Sequence, residues 1–185
     1  MTVVSSKNKR LFLALLLPEE ITSLFSSLTE RLPGHPLVLE NFHLTLFFFG
    51  PKGKEEERKI EEVLFWVVAK EKPLTLSLAG LSFFPSSGRP RGVWAKIAGQ
   101  DETRLVSFRQ KLGEELLAKD IYFDPKPFLP HVTLTRFAKK ERVFKKSLPK
   151  IPDREFRVSS AGLFESKLSP EGARYSLAAK RQFGL

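Results

Sequence analysis

The sequence predicts an α+β fold built as two halves related by a pseudo-twofold axis. Three observations predict it. A strand–helix–strand order occurs twice along the chain. Each copy ends in a strand with the pattern His-apolar-Thr-apolar, His43-Leu44-Thr45-Leu46 and His131-Val132-Thr133-Leu134. The chain has 185 residues, 42% of them apolar, which suits one continuous core better than a string of small units. Residues 1–185 are therefore expected to form a single two-lobed domain.

The elements follow from periodicity. Residues 11 to 17 are an apolar run of strand length, and Pro18 is well placed at a first helical turn. Ile21, Leu24, Phe25, Leu28 and Leu32 then recur at helical spacing until Pro33-Gly34. Residues 42 to 49 read as the first histidine strand, stopped at Gly50-Pro51. A second helix spans about residues 54 to 70 with Ile60, Val63, Leu64 and Val67 inward. Its Glu55-Glu56-Glu57 run reads as a solvated face near the positive helix end. Leu74 to Leu78 alternates as a half-buried strand, and residues 83 to 90 read as a loop. The first pattern then returns: strand from Val93 to Ala98, helical stripe Leu105, Phe108, Leu112 and Leu116, strand from Phe128 to Phe137. A Lys-rich connection over 138 to 153 leads to closing strands at Glu155 to Phe164 and Arg174 to Ala179.

Composition narrows the function classes. The chain has no cysteine, which removes disulfides, thiolate catalysis, iron–sulfur clusters and cysteine-bound zinc, and fits the reducing cytoplasm. The basic start and the apolar run to Leu17 imitate a secretory signal. The run is short and meets Pro18-Glu19-Glu20 instead of a cleavage site, so it reads as a strand. No stretch approaches the roughly 20 apolar residues of a membrane span. A formal charge of +10 gives a field that attracts polyanions such as nucleic acid, although Lys and Arg also simply solvate surfaces.

Strand parity sorts the histidine motifs. His43 and Thr45 face one side and Leu44 and Leu46 the other, and His131 and Thr133 oppose Val132 and Leu134 in the same way. A lone histidine on a strand is more often a structural residue than a catalyst. Here two of three histidines share one tetrapeptide at the same place in a repeated unit. The third, His35 in Gly34-His35-Pro36, reads as a solvated turn residue.

These motifs resemble the two-histidine phosphoesterase superfamily, and within it the RNA 2′,3′-cyclic phosphodiesterases historically called 2′-5′ RNA ligases. The likeness runs from Arg10-Leu11-Phe12-Leu13-Ala14 and Leu17-Pro18-Glu19-Glu20 through Glu40-Asn41-Phe42-His43 to Phe48-Phe49-Gly50. It continues in Val93-Trp94-Ala95, in Pro127-Phe128-Leu129-Pro130-His131 to Arg136, and in Leu163-Phe164-Glu165-Ser166 with Tyr175. The resemblance implies two lobes of antiparallel sheet, helices outside, around a central cleft that carries both motifs. It implies His43 and His131 as catalytic residues, Thr45, Thr133 and Arg136 as phosphate contacts, no metal and no cofactor. The implied partner is RNA ending in a 2′,3′-cyclic phosphate, tRNA fragments among the candidates, met by a cytoplasmic monomer without a membrane. The chain departs from the family at Phe47, where members often carry Lys or Arg.

Two imidazoles suffice for such chemistry, one taking a proton from water and the other giving one to the leaving ribose oxygen. The family implies a 2′-phosphate product, so the 3′ oxygen leaves. The two halves look alike in sequence; the working assignment is His43 as acid and His131 as base. Catalytic zinc generally wants three protein ligands, and two well-placed histidines are visible. Arg136 has the wrong parity to share the face of His131 unless the strand ends, twists or bulges there. Phe48 shares parity with Leu44 and Leu46 and so reads as core, with stacking on a base as its alternative role. Competing readings are 2′-5′ RNA ligation as the reverse reaction, a non-catalytic RNA-end binding module, and a relative acting on small cyclic phosphates.

Overall fold

The structure is a computed structural model, and it describes residues 8–86, 88–138, 147–169 and 172–184. Part of the Lys-rich connection, residues 139–146, lies outside them. Strand β1 (Lys9–Leu16) leads into α1 (Glu19–Thr29), a short β2 (His35–Pro36) and a 3₁₀ turn (Leu39–Asn41). Then come β3 (His43–Lys52), α2 (Lys54–Val68), β4 (Leu74–Phe84), β5 (Gly92–Ala98) and α3 (Glu102–Leu117). The chain closes with β6 (His131–Arg136), β7 (Glu155–Val158), β8 (Ser160–Ser169) and β9 (Gly172–Gln182).

All strand pairings are antiparallel, in the order β7-β4-β5-β6-β3-β1-β8-β9, with β2 added on β6. Read outward from the centre, the halves are β3-β1-β8-β9 and β6-β5-β4-β7. Thus β1-α1-β3 corresponds to β5-α3-β6, as the repeated order predicts. The lobes belong to one sheet, and they meet through a single pair, Leu44 opposite Val132. The residues that flank this pair, His43 and Thr45 on β3 and His131 and Thr133 on β6, line the cleft.

Burial holds the helices. Neither α1, of 11 residues, nor α3, of 16, has a side-chain N-cap hydrogen bond, and helices of that length are marginal alone. Their apolar stripes supply the difference: Ile21, Phe25 and Leu28, and Leu105, Phe108, Leu112 and Leu116, are all buried. Full burial of one such side chain is worth about 1.5–3 kcal/mol. A second, smaller cluster of Phe12, Ala14 and Phe164, flanked by Leu16 and Tyr175, is separate from this core.

Several boundaries differ from the sequence reading. β3 continues through Gly50 and Pro51, because Gly50 takes φ +71° and Pro51 pairs with Arg10 where β6 no longer runs alongside. β4 extends to Phe84, past a register shift next to Gly80 at φ +95°, so the loop is shorter than expected. β6 begins only at His131, since the segment before it is rich in proline. The expected strand from Glu155 breaks at Ser159, where the chain passes from an edge of one half, β7, to the other half, β8. The glutamate run is not simply solvated. Glu57 is buried and accepts from Lys9 Nζ at 2.7 Å, and Glu56 accepts from the Gly53 N–H at 2.9 Å. Only Glu55 and its exposed pairing with Arg58 fit the expectation.

Candidate active site

The central pair sets the geometry. Leu44 and Val132 point into the core, so the residues on either side of them point into the cleft. Continuing that antiparallel register by one residue sets His43 across from Thr133 and Thr45 across from His131. The two histidines are then diagonal neighbours, roughly 7–8 Å apart at the backbone in a regular pair. A phosphate between the rings fits such a gap. All four side chains line one cavity of about 470 Å³.

The parity problem of Arg136 is resolved by a bulge. On β6 Thr133 pairs with Trp94 and Thr135 with Val93, so Leu134 is the extra residue. Thr135 is thereby turned inward, fully buried, its hydroxyl donating to the Pro33 carbonyl at 2.7 Å. Arg136 emerges on the same face as His131 and lines the cleft. β3 repeats the device: Thr45 pairs with Ala14 and Phe47 with Leu13, leaving Leu46 as the extra residue. Consequently Phe47 is buried, at 3% exposure, and Phe48 lines the cleft at 52% exposure. This corrects the core reading of Phe48, whose parity was counted on a flat strand. Phe48 stands five residues after His43 as Arg136 stands five after His131, and each reaches the cleft across its bulge.

The histidines differ in environment. His131 Nδ1 donates to the Leu129 carbonyl at 2.7 Å, which directs Nε2 away from the chain, and its ring stacks on Trp94 at 3.6 Å. Phe84 stacks in turn on Trp94 at 4.4 Å. His43 sits among Phe12, Tyr175 and Phe164, with ring centroids 4.8, 5.2 and 5.8 Å away. Asn41 lies two residues before His43 as Leu129 lies before His131, and its carbonyl favours the charged ring. That contact falls short of good hydrogen-bond geometry, so the buried His43 Nδ1 lacks the well-formed partner that His131 Nδ1 has.

Burial pushes the His43 imidazole down to about 4, and the positive charges of Arg136 and His131 push the same way against the Asn41 carbonyl. Burial also lowers His131, with Arg136 adding to it and the Leu129 carbonyl opposing. Both rings are therefore neutral near pH 7 in the free protein. His43 is the harder ring to charge, the reverse of what the working acid assignment wants before an anion is bound.

His35 lies on β2 opposite Arg136 and is exposed, not in a turn, and it does not line this cavity. Sequence reasoning missed Arg91, Arg109 and Lys126, which line the cleft. Arg109 lies beside the apolar stripe of α3 and carried no motif. The one carboxylate among the lining residues, Asp124, is paired with Lys126 at 2.6 Å. The overall positive charge thus has a local concentration. Among the described residues no three His, Asp or Glu side chains come together as a metal site, and no helix is long and apolar enough to cross a membrane.

Two halves of one sheet, each presenting a His-x-Thr pair to a shared cationic cleft, define a two-histidine class of protein. The chain belongs to the 2′-5′ RNA ligase superfamily, whose sequence model matches residues 17–169. It is similar to the RNA 2′,3′-cyclic phosphodiesterase of Thermus thermophilus, 32% identical over 182 residues that cover 92% of this chain and 88% of the relative. It is also similar to the RNA 2′,3′-cyclic phosphodiesterase of Archaeoglobus fulgidus, 31% identical over 90% of this chain and 96% of the relative. The crystal structure of TT0787 of Thermus thermophilus superposes with a TM-score of 0.77 at 31% identity, covering 94% of this chain and 97% of that one. The E. coli LigT apo structure shares the fold with a TM-score of 0.75 at 24% identity, covering 97% of this chain and all of LigT, 100%.

Proposed function

We propose that this protein hydrolyses 2′,3′-cyclic phosphate ends of RNA to 2′-phosphomonoesters by metal-independent acid–base catalysis at His43 and His131. The observation that carries the reading is the convergence of both imidazoles, both threonines and Arg136 on one cavity. The names of the relatives point to the same substrate.

In this reading one imidazole takes a proton from water, whose oxygen attacks phosphorus, while the other donates a proton to the departing 3′ oxygen. The P–O3′ bond breaks as the new P–O bond forms, and the 2′ ester remains. Charge gathering on the non-bridging oxygens meets the hydroxyls of Thr45 and Thr133 and the guanidinium of Arg136. The anionic substrate also raises the pKa of both rings, which makes a protonated partner accessible near neutral pH. Phe48, open to the cleft, offers a face on which a base can stack. Residues 1–185 act as a single two-lobed domain, a cytoplasmic monomer meeting RNA fragments such as those of tRNA.

The test is an end-group assay on a 2′,3′-cyclic oligonucleotide in excess chelator. Wild type should yield the 2′-phosphate, and His43→Ala and His131→Ala should each lose about 10²- to 10⁴-fold in kcat with binding largely kept. Turnover abolished by chelator overturns the metal-free mechanism. Binding without turnover favours an end-binding module, and net joining of RNA ends favours ligation.

A further inference from the structure

We infer that Arg109 forms a second anion site in the cleft, which takes the phosphodiester next to the cyclic end and favours an RNA chain over a mononucleotide. The inference rests on the proposed RNA-end reading and adds a contact to it.

The bulge at Leu46 removes its carbonyl from the β1 ladder, and Arg109 Nε donates to that carbonyl at 3.0 Å. The guanidinium lies over the rings of Phe47, 4.5 Å away, and Phe128, 4.7 Å away. Two aromatic contacts and one hydrogen bond thus hold the group. In the other half the matching carbonyl, Leu134 O, accepts from the Leu37 backbone N–H at 2.9 Å. Closing a bulge therefore does not require a cation; a neutral N–H does it. What Arg109 adds is charge and four further N–H donors on Nη1 and Nη2.

Those donors make no hydrogen bond to any described residue, and Arg109 lines the cavity that holds the histidines. Among the described residues no carboxylate pairs with it: burial alone lowers its pKa, and Asp124, which also lines the cavity, is engaged by Lys126. A half-buried cation without a counter-charge costs free energy that an arriving anion recovers. A guanidinium already held by three contacts gives up little further entropy in binding one, and its unused N–H groups match two oxygens of a phosphodiester. Arg136 lies on the His131 strand, whereas Arg109 reaches from α3 to the His43 strand, and both line the cavity. An RNA end held by Arg136 at its terminal phosphate thus has a second cation waiting farther along.

The experiment measures binding of a dinucleotide carrying a 2′-phosphate end against a mononucleotide 2′-phosphate, across a range of salt, to wild type, Arg109→Gln and Arg109→Lys. Arg109→Gln should weaken the dinucleotide about tenfold or more and the mononucleotide far less, as loss of a hydrogen bond to a charged group implies. The salt slope for the dinucleotide should fall by about 0.7, as for one single-strand phosphate contact, and Arg109→Lys should keep that slope. A ligand-side arm needs no variant: replacing the internal phosphodiester by a neutral methylphosphonate should cost wild type the same factor. Equal losses for both ligands, or a methylphosphonate that binds wild type as well as the diester, overturn the inference. Turnover of a 2′,3′-cyclic dinucleotide by wild type is followed in parallel. Its absence with the binding pattern present refutes hydrolysis and leaves the anion site standing; turnover without the pattern does the reverse.

Discussion

Replacing His43 with Asn should change how stability depends on pH, and the size of the change follows from the burial of one ring. The imidazole titrates near 6.5 when unfolded and at about 4 in the folded protein. Between those values the unfolded chain binds more protons at this site, so stability rises with pH through the window. The contribution is complete above about 6.5, lost progressively as pH falls to about 4, and flat below. At about 1.4 kcal/mol for each pH unit the interval amounts to about 3 kcal/mol, and to ~2–3 once the ring edge that meets cleft solvent is allowed for. The assay is urea unfolding of wild type and His43→Asn at closely spaced pH values from 7.5 to 4. Carboxylate titrations are shared by the two proteins and cancel in the difference. The wild type should lose ~2–3 kcal/mol relative to the variant across the window. Curves that stay parallel within about 0.5 kcal/mol would refute the argument that burial keeps this ring neutral.

Other outcomes follow from the same structure. Arg136→Ala removes a positive charge that opposes protonation of both imidazoles, so both should titrate higher in proton NMR of the rings; unchanged titration would place Arg136 farther from them than the structure does. Thr135→Val leaves the half-buried Pro33 carbonyl without its hydroxyl partner and should lower stability by about 1 kcal/mol in chemical denaturation. Phe48→Ala should leave the melting temperature nearly unchanged, because that ring is exposed, yet weaken an RNA end by about 1–3 kcal/mol in a titration if a base stacks there.

The repeated element order and the two tetrapeptides were legible because both rest on local periodicity. Parity held from His43 to Leu46 and from His131 to Leu134, up to and including the extra residue of each bulge. It failed one residue later in each half. A bulge of this kind needs no glycine or proline, and here both extra residues are leucines in apolar strands. Their freed carbonyls are satisfied by partners distant in sequence, Arg109 and the Leu37 N–H, which no local pattern announces. A signal did exist: Phe48 and Arg136 share an offset from their histidines, so whatever brings one to the cleft by symmetry brings the other. Trp94 and Tyr175 were visible only as family-like residues, and that one stacks on an imidazole and the other meets one edge-on depends on β5 and β9 lying where the sheet order puts them.

The symmetry that makes the site recognisable is also what the proposed chemistry must break, since in that proposal one ring gives a proton while the other takes one. The backbone around the motifs does not break it: the pairing of each motif with its outer neighbour, the bulge and the His-x-Thr spacing are the same in both halves. The side chains do. Arg136 stands where the other half has Phe48, an imidazole held by the Leu129 carbonyl stands against one whose Nδ1 is unpartnered, and burial depresses His43 further toward neutrality. In the free protein this places the first proton on His131. A phosphate anion against Arg136 cancels the charge that acts on both rings, so the proton's location is decided by the bound substrate as much as by the protein. Ring titrations measured with and without bound 2′-phosphate therefore bear on the acid–base assignment more directly than a rate profile, which reports the pair. If His131 still charges first in the bound state, His131 is the acid and the working assignment is reversed.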